Sequence, residues 1–595
     1  MKRPLALALS VLIATSVVAQ TESASPKPKS GRHSSSAPVS KTLEDMKDAI
    51  SSQQQQIQQL QQQIQSRDQA IQQLQQQVTQ AQSTATQAQQ AAAANQQAPE
   101  TSAEVSALQH DVTDLKTVSG NAVNELQETQ KRIAGLESPA AIHYKGVTIT
   151  PGGFLAGETY YRNHGTGGEA TPFNSIPFPG SSQSSLGEFY GSGRQSRLSL
   201  LVQGKAGNVN ATGYYEADFL SAGVTSNNNA TNSYTLRQRQ AYVQAALANG
   251  WTFTGGQMWS LVTETRVGVD NRTEATPLTI DPNYTVGFSF ARQYGFRVSK
   301  NFHNKVWLAG SVENAQATIA TSSAMATNFL FGSVGAGGGL YNATANYSYN
   351  LTPDFIAKAV FEPGVGHYEI FGIMSVFRDR VFPGATLQTP TAAGAYNSST
   401  FSGGLGANAR FQMMQKRLVM GAHFLGGNGI GRYGASGLPD VTLNSNGTIA
   451  KLRNAQVLGT VEWHGPKWDV YMNAGAEYEA RRWDKNAKGV AEGYGSPLFA
   501  NYGCSNETLP GANNGFTPGS LSNCSGNTRN LIEGTFGFWY KPYNGPKGRI
   551  QIGPQYSYIV RNTWVGYGSK TPVIVGDQPS ANDSVVATSF RYYLP

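Results

Sequence analysis

The sequence predicts an all-β transmembrane barrel of about 16 antiparallel strands, preceded by an α-helical coiled coil. Three observations carry this. From about Gly146 onward apolar residues alternate with polar ones, and the connections between these segments are short and long in turn. Ahead of them, apolar residues repeat every seven. Composition agrees. Of 595 residues 65 are Gly, aromatics make up 10 %, charged residues only 14 %, and mean hydropathy is −0.35. With no long apolar run past the N-terminal segment, a lipid-facing surface has to be built one residue in two.

Residues 1–19 read as a secretory signal peptide. Lys2 and Arg3 precede an apolar run over 5–18, and Val17-Val18-Ala19 offers a cleavage site before Gln20. The run is shorter than the roughly 20 residues of a membrane-spanning helix. A flexible segment, 20–42, follows. Over 43–82 one row reads Leu43, Ile50, Ile57, Ile64, Ile71 and Val78, and its companion Met46, Gln53, Leu60, Arg67, Leu74 and Ala81. Two rows in 3-4 spacing form a seam narrow enough to be buried only against another helix, while a disordered Gln-rich tract would not hold that phase. After a linker, 83–104, a second short coiled coil spans 105–137 on Val105, Val112, Leu126 and Ile133 with Leu108, Leu115, Ala122 and Leu136. Straight, the two runs extend on the order of 100 Å at about 1.5 Å per residue.

The barrel region is 144–595. In 468–481, Trp468, Val470, Met472, Ala474, Ala476 and Tyr478 form one face, against Asp469, Tyr471, Asn473, Glu477, Glu479 and Arg481. In 549–560, Ile550, Ile552, Tyr556, Tyr558 and Val560 face out and Arg549, Gln551, Gln555 and Ser557 face in. In 209–219, Asn210, Thr212, Tyr214, Glu216 and Asp218 face in. Aromatic ends on the apolar faces suit the two membrane interfaces. Tight turns fall near 205–208, 247–250, 301–304, 363–366, 414–417, 464–467 and 543–548; segments such as 163–193, 263–285, 380–401 and 484–528 are long. This asymmetry gives roughly 16 strands, a size that leaves an aqueous interior. Residues 584–595, with Phe590, Tyr592 and Leu594 on one face, supply the closing strand.

A charged side chain on the lipid side costs roughly 2–4 kcal/mol at the midplane, so strand arginines should point inward. Arg237 and Arg239 are two apart and share a face; Arg197 shares one with Ser199 and Gln203. Arg297, or Arg292 if the register slips, extends the positive track. Opposing acids, Glu216 and Asp218, would set up a transverse field. These residues are the candidate selectivity site. The bland alternative is that the arginines pair with wall acids and stiffen the barrel. Loop 263–285 carries Arg266, Asp270, Arg272 and Glu274, and either folds into the barrel or stays at the surface. The net charge of +8 leans toward anions. Cys504 and Cys524 can close a surface loop as a disulfide in an exported chain.

Four stretches resemble the DcaP-like porins: Arg194-Gln195-Ser196-Arg197-Leu198, Tyr215-Glu216-Ala217-Asp218-Phe219, Leu236-Arg237-Gln238-Arg239-Gln240-Ala241-Tyr242, and Gly255-Gly256-Gln257-Met258-Trp259-Ser260. The resemblance implies a homotrimer in the outer membrane of a Gram-negative-type bacterium with its coiled coil in the periplasm. It further implies passive diffusion of small organic anions, dicarboxylates among them, past lumen arginines. No catalytic constellation, cofactor motif, metal-ligand spacing or nucleic-acid-binding feature stands out. The expected partners are the lipid bilayer and small anionic solutes, with peptidoglycan or a periplasmic protein on the coiled coil. Three readings follow: a diffusion porin for small anions, an envelope tether whose barrel is only an anchor, and a barrel enzyme, for which no motif speaks.

Overall fold

The computed structural model describes residues 141–166, 173–220, 235–314, 317–320, 328–330, 350–386, 388–507, 521–570 and 573–595. The chain divides into two compact units, Met1–Ala134 and Gly135–Pro595. The expected signal peptide, flexible segment, linker and coiled-coil runs lie outside the described residues.

The second unit is a closed antiparallel barrel of sixteen strands. They are β1 Val147–Arg162, β2 Arg197–Ala206, β3 Val209–Asp218, β4 Arg237–Leu247, β5 Trp251–Trp259, β6 Arg292–Phe302, β7 Val306–Glu313 and β8 Asp354–Gly364. The second half comprises β9 Gly366–Val381, β10 Tyr396–Met413, β11 Leu418–Asn428, β12 Arg453–His464, β13 Trp468–Glu479, β14 Thr528–Gly545, β15 Gly548–Thr563 and β16 Ser580–Tyr593. Each pairs with its neighbour in sequence, and β1 closes the ring, meeting β2 through Val147↔Gly204 to Phe154↔Arg197 and β16 through Phe154↔Tyr593 to Arg162↔Val585. The seven tight turns all fall at one end, as the sequence predicts.

Alternation decides which side chain sees lipid. In β13, Trp468, Met472 and Ala474 are exposed, while Asp469, Asn473, Glu477 and Glu479 are buried. Leu405 and Val243 face outward at 72 % and 69 % exposure. That much bare apolar surface is tolerated only where lipid or another protein covers it. At the short-turn end the outward face ends in rings: Trp468 lies 4.5 Å from Tyr540 and 5.4 Å from Phe538, centroid to centroid. Lys300 sets its ammonium over Trp251 and Phe302 there, at 5.3 and 5.8 Å. A long cation lying along interfacial aromatics is the expected arrangement at a membrane boundary.

The buried apolar residues are not one central core. They lie where long loops enter the barrel: Leu261, Val262 and Val269 pack with Trp307, Val360, Phe371 and Leu425, and Ile280 and Val286 pack with Tyr471, Leu531 and Trp539.

Candidate functional site: a loop stitched into a charged lumen

The segment joining β5 to β6 runs inside the barrel, so of the two placements open to loop 263–285 the inward one holds. Seven inward side chains on seven strands accept its backbone N–H groups. Glu313 takes Leu261 at 2.8 Å, Glu369 takes Thr265 at 2.9 Å and Glu362 takes Gly268 at 2.7 Å. On the facing strands Glu462 takes Leu278 at 3.3 Å, Gln555 takes Ile280 at 2.8 Å, Glu533 takes Val286 at 2.7 Å and Glu477 takes Gly287 at 2.9 Å. An irregular segment has no ladder of its own for these donors, and a buried N–H left unpaired costs about 1–3 kcal/mol. The wall carboxylates answer that need. Cations complete the stitching: Lys358 donates to the Thr263 carbonyl at 2.8 Å, Arg297 to the Trp259 carbonyl at 2.6 Å, and Arg591 to the Ile280 carbonyl.

Two glycines let the loop lie flat on the wall. Gly287 has φ +85°, and a Cβ there would stand 1.9 Å from the Val457 carbonyl oxygen. Gly475 on β13 faces it, and its Cβ would stand 1.8 Å from the Val286 oxygen. Only a residue without a side chain permits that approach.

A second inward segment, between β11 and β12, backs the first. Phe290 donates its N–H to the Tyr433 carbonyl and Ala435 to that of Phe288, at 2.8 and 3.0 Å. The Tyr433 hydroxyl donates to Asp354 at 2.6 Å, and Arg432 binds the same carboxylate. Burial holds the Asp440 carboxyl above its usual range, against the pull of Arg432. Burial likewise pushes Glu264 up to about 7, opposed by Arg410, whose Nε lies 3.1 Å away, and reinforced by Glu369.

The predicted charges on β2 to β4 form one connected group. Arg239 donates to Glu216 at 2.6 Å and Asp218 at 2.7 Å; Arg237 grips Asp218 through two bonds, 2.9 and 2.7 Å; Arg197 stands 3.8 Å from Glu216. A register shift between Glu216 and Ala217 bulges β4 around Arg239, and Gln257 caps the freed carbonyls of Gln238 and Arg239 at 3.1 and 3.0 Å. The acids therefore do not face the arginines across the lumen. They sit on the same wall, bonded to them, and the expected transverse field between these five groups is absent. Arg239 and Arg297 are buried, at 2 % and 4 % exposure. Arg237 and Arg197 keep 36 % and 23 % of their side chains in solvent. Arg292 stacks on Trp259 and Phe290, 4.9 and 5.9 Å from their centroids.

Solvent follows the same asymmetry. On β2 and β3 the inward Gln203, Lys205 and Asn210 are exposed, whereas Gln456, Asn473, Glu477 and Glu533 on β12 to β14 are buried beneath the loop. The loop's tip folds as a hairpin bridged at Thr265↔Glu274 and presents Arg266, Asp270 and Arg272 to solvent. Arg272 lies 5.7 Å from the Tyr214 ring on β3, facing the open wall. Sequence reasoning placed Glu477 inward but assigned no role to the anchoring acids, because their partners are backbone groups of a distant loop.

Ser289, His423 and Asn408 stand in a line that resembles a hydrolytic triad. His423 Nε2 is 2.6 Å from Ser289 Oγ and Nδ1 bonds Asn408. The Ser289 hydroxyl donates to Gln456, however, and the enclosed void beside it measures only about 10 Å³. The arrangement pins loop to wall and has no room for a substrate. Cys504 and Cys524 are joined as a disulfide in the loop between β13 and β14.

No family model matches the sequence, and no curated protein sequence matches it. Solved structures do. The crystal structure of the outer membrane channel DcaP of Acinetobacter baumannii aligns with a TM-score of 0.51 at 16 % identity, covering 76 % of this chain and all of that one. The protein has the fold of that channel. The outer-membrane expressed OmpT of Vibrio cholerae aligns at 8 % identity and a TM-score of 0.39, and an anion-selective porin from Comamonas acidovorans at 9 % and 0.38. They cover 76 % and 75 % of this chain and 99 % and 100 % of their own lengths, too loosely to carry further argument. The DcaP alignment bears on fold alone; function has to come from the site.

Proposed function

We propose that this protein is an outer-membrane porin through which small hydrophilic anions, dicarboxylates among them, diffuse passively. The observation that carries the reading is the division of charge inside the barrel. Wall carboxylates are consumed by the loop's N–H groups and by buried cations, while Arg237, Arg197, Arg266 and Arg272 keep contact with water. A solute crossing between loop tip and β2–β4 wall therefore meets four water-exposed guanidiniums, two of them already paired on one side with Asp218 and Glu216, against the single exposed carboxylate of Asp270, which lowers the barrier for anions. On this reading the short turns face the periplasm, and the working form is a homotrimer, as in the family the motifs resemble.

Planar-bilayer recording under a KCl gradient tests this. Wild-type protein should insert in three-step conducting units with a chloride-preferring reversal potential, and Arg237→Ala/Arg272→Ala should shift that potential toward zero. A folded barrel that never conducts would overturn the porin reading. One observation favours the alternative, an anchor for a periplasmic tether: two loops pack the interior, and a filled barrel suffices for anchorage.

A further inference from the structure

A second group of arginines lies on the outside of the barrel, at the long-loop end of β12 to β14. Arg453 opens β12, and Arg529 is squeezed out where the register of β14 shifts between Thr528 and Asn530. Arg481, which alternation predicts inward with Glu479, comes two residues after β13 ends, where the alternation no longer holds, and turns to Trp564 instead. All three are exposed, and none forms an ion pair among the described residues. Arg481 and Arg529 both lie over the Trp564 ring, 4.6 and 5.3 Å from its centroid. The ring is firmly held: its Nε1 donates to the Glu479 carbonyl at 3.0 Å, and it meets Tyr478 edge-on at 6.1 Å. Arg453 is tied to the same place through its carbonyl, which accepts the Ala480 N–H at 2.8 Å.

Inside the barrel, Arg239, Arg410, Arg432 and Arg591 each have a carboxylate partner. Outside, two cations share one ring and have none. Like charges held together repel unless an anion joins them, and exposed cation–π contacts contribute too little to hold them there alone. Their height indicates which anion. The outward face of β13 begins at Trp468 and ends at Tyr478, about 33 Å along the strand at ~3.3 Å per residue, which a tilted strand turns into an apolar band about 25 Å tall. The arginines stand just past Tyr478, at headgroup level. Beneath them Ile532 and Tyr558 are exposed on the outward face and offer apolar surface to acyl chains.

We infer that Arg481 and Arg529, ordered by Trp564, together with Arg453 on the neighbouring strand, bind the phosphate group of a lipid in the leaflet at the long-loop end, with its acyl chains against β12 to β15. Planar guanidiniums grip phosphate oxygens in pairs, and the ring orients two of them. The inference rests on the barrel spanning a membrane, not on its conducting.

Native mass spectrometry of the detergent-solubilised full chain tests it, with diphosphorylated lipid A as probe against the same lipid stripped of phosphate. The wild type should retain the phosphorylated probe roughly tenfold or more tightly than Arg453→Ser/Arg481→Ser/Arg529→Ser, three charge-assisted contacts being lost. The milder Arg481→Gln/Arg529→Gln should fall between, and heat-modifiable gel migration reports that both variants fold. Equal retention by wild type and folded variants overturns the site. So does displacement of the probe by millimolar inorganic phosphate, which would mark a free-anion site. Bilayer conductance of the same preparations separates the two claims, since a variant that loses lipid should keep its conductance and ion preference.

Discussion

The β2–β4 wall and the β12–β15 wall enclose the same lumen and carry similar inward residues, yet the first keeps Gln203, Lys205, Asn210 and part of Arg237 in water while the second is largely covered. On β2–β4 each carboxylate finds an arginine on a neighbouring strand, through registers such as Arg197↔Asp218 and Asp218↔Arg237. On β12–β14 the carboxylates Glu462, Glu477 and Glu533 find N–H groups of the in-folded loop. A wall that satisfies its charges by itself stays open to solvent. A wall whose charges need an outside donor recruits a loop and is covered. Inward charge alone therefore does not define a pore lining; the partner decides.

The sharpest way to break this comparison is to remove what covers the second wall. Replacing 263–285 with a short Gly-Ser linker should raise single-channel conductance severalfold and leave the barrel folded by heat-modifiable gel migration. Gly475→Leu is the gentler version. Its side chain would occupy the space of the Val286 carbonyl, so the loop must lift, and conductance should rise in part. Unchanged conductance in both would mean that the loop does not limit flow.

Next in size is the difference between two neighbouring arginines on the open wall. Arg239→Ala leaves Glu216 and Asp218 with their shared, buried partner gone, a loss of about 3–5 kcal/mol for a broken buried pair. Arg237 is partly solvated, and Arg237→Ala should cost on the order of 1 kcal/mol. Urea unfolding from vesicles should place the two midpoints well apart, while ion preference should move more for Arg237→Ala. The reverse ranking would make Arg239 the lining residue and Arg237 the brace.

Much of the barrel is readable from sequence because its rules are local. Period-two alternation put Trp468 outside and Asp469 inside without knowledge of any partner, and the seven tight turns set the strand number. The placement of the arginine cluster was readable in part, since a charged residue on a strand has only one tolerable side. What defied reading was whether Arg239 and Arg297 see water. That depends on where the loop between β5 and β6 comes to rest, and on a bulge of one residue in β4. The anchoring acids were invisible as anchors for the same reason: a Glu on an inward face looks alike whether it binds arginine, water or a distant N–H.

A smaller effect concerns pH. Glu264 belongs to the loop, and burial raises its folded-state pKa to about 7 against a usual value of 4.5. Its neutral form is favoured in the folded loop. That contribution is fully present below about pH 4.5 and is lost as pH rises through 7. The loop should thus be held more firmly in mild acid, and open-channel noise should grow between pH 5 and 8, on the order of the span Glu264 titrates. Glu264→Gln, which stays neutral throughout, should flatten the noise profile over that range. His367 on β9 and the loop-anchoring Glu477 and Glu533 also face the loop, so a profile unchanged by Glu264→Gln would move the pH response to that set.

The smallest effect belongs to the disulfide, and it tests how far the covered wall extends. Cys504 and Cys524 are 20 residues apart in the loop between β13 and β14. Closing a free loop of that size would stabilise a protein by about 3 kcal/mol through chain entropy. Here the loop's ends are already fixed by the pairing Tyr478↔Asn530, so most of that entropy is gone before the bond forms. Cys504 is fully buried beside Phe173, Ile176 and Phe178, and its packing survives replacement by a residue of similar size. Cys504→Ser/Cys524→Ser should leave the unfolding midpoint and conductance nearly unchanged and speed proteolysis only within 495–527. A large fall in midpoint would show that this loop supports the covered wall as the 263–285 loop does, and that the division between the walls reaches the outer rim.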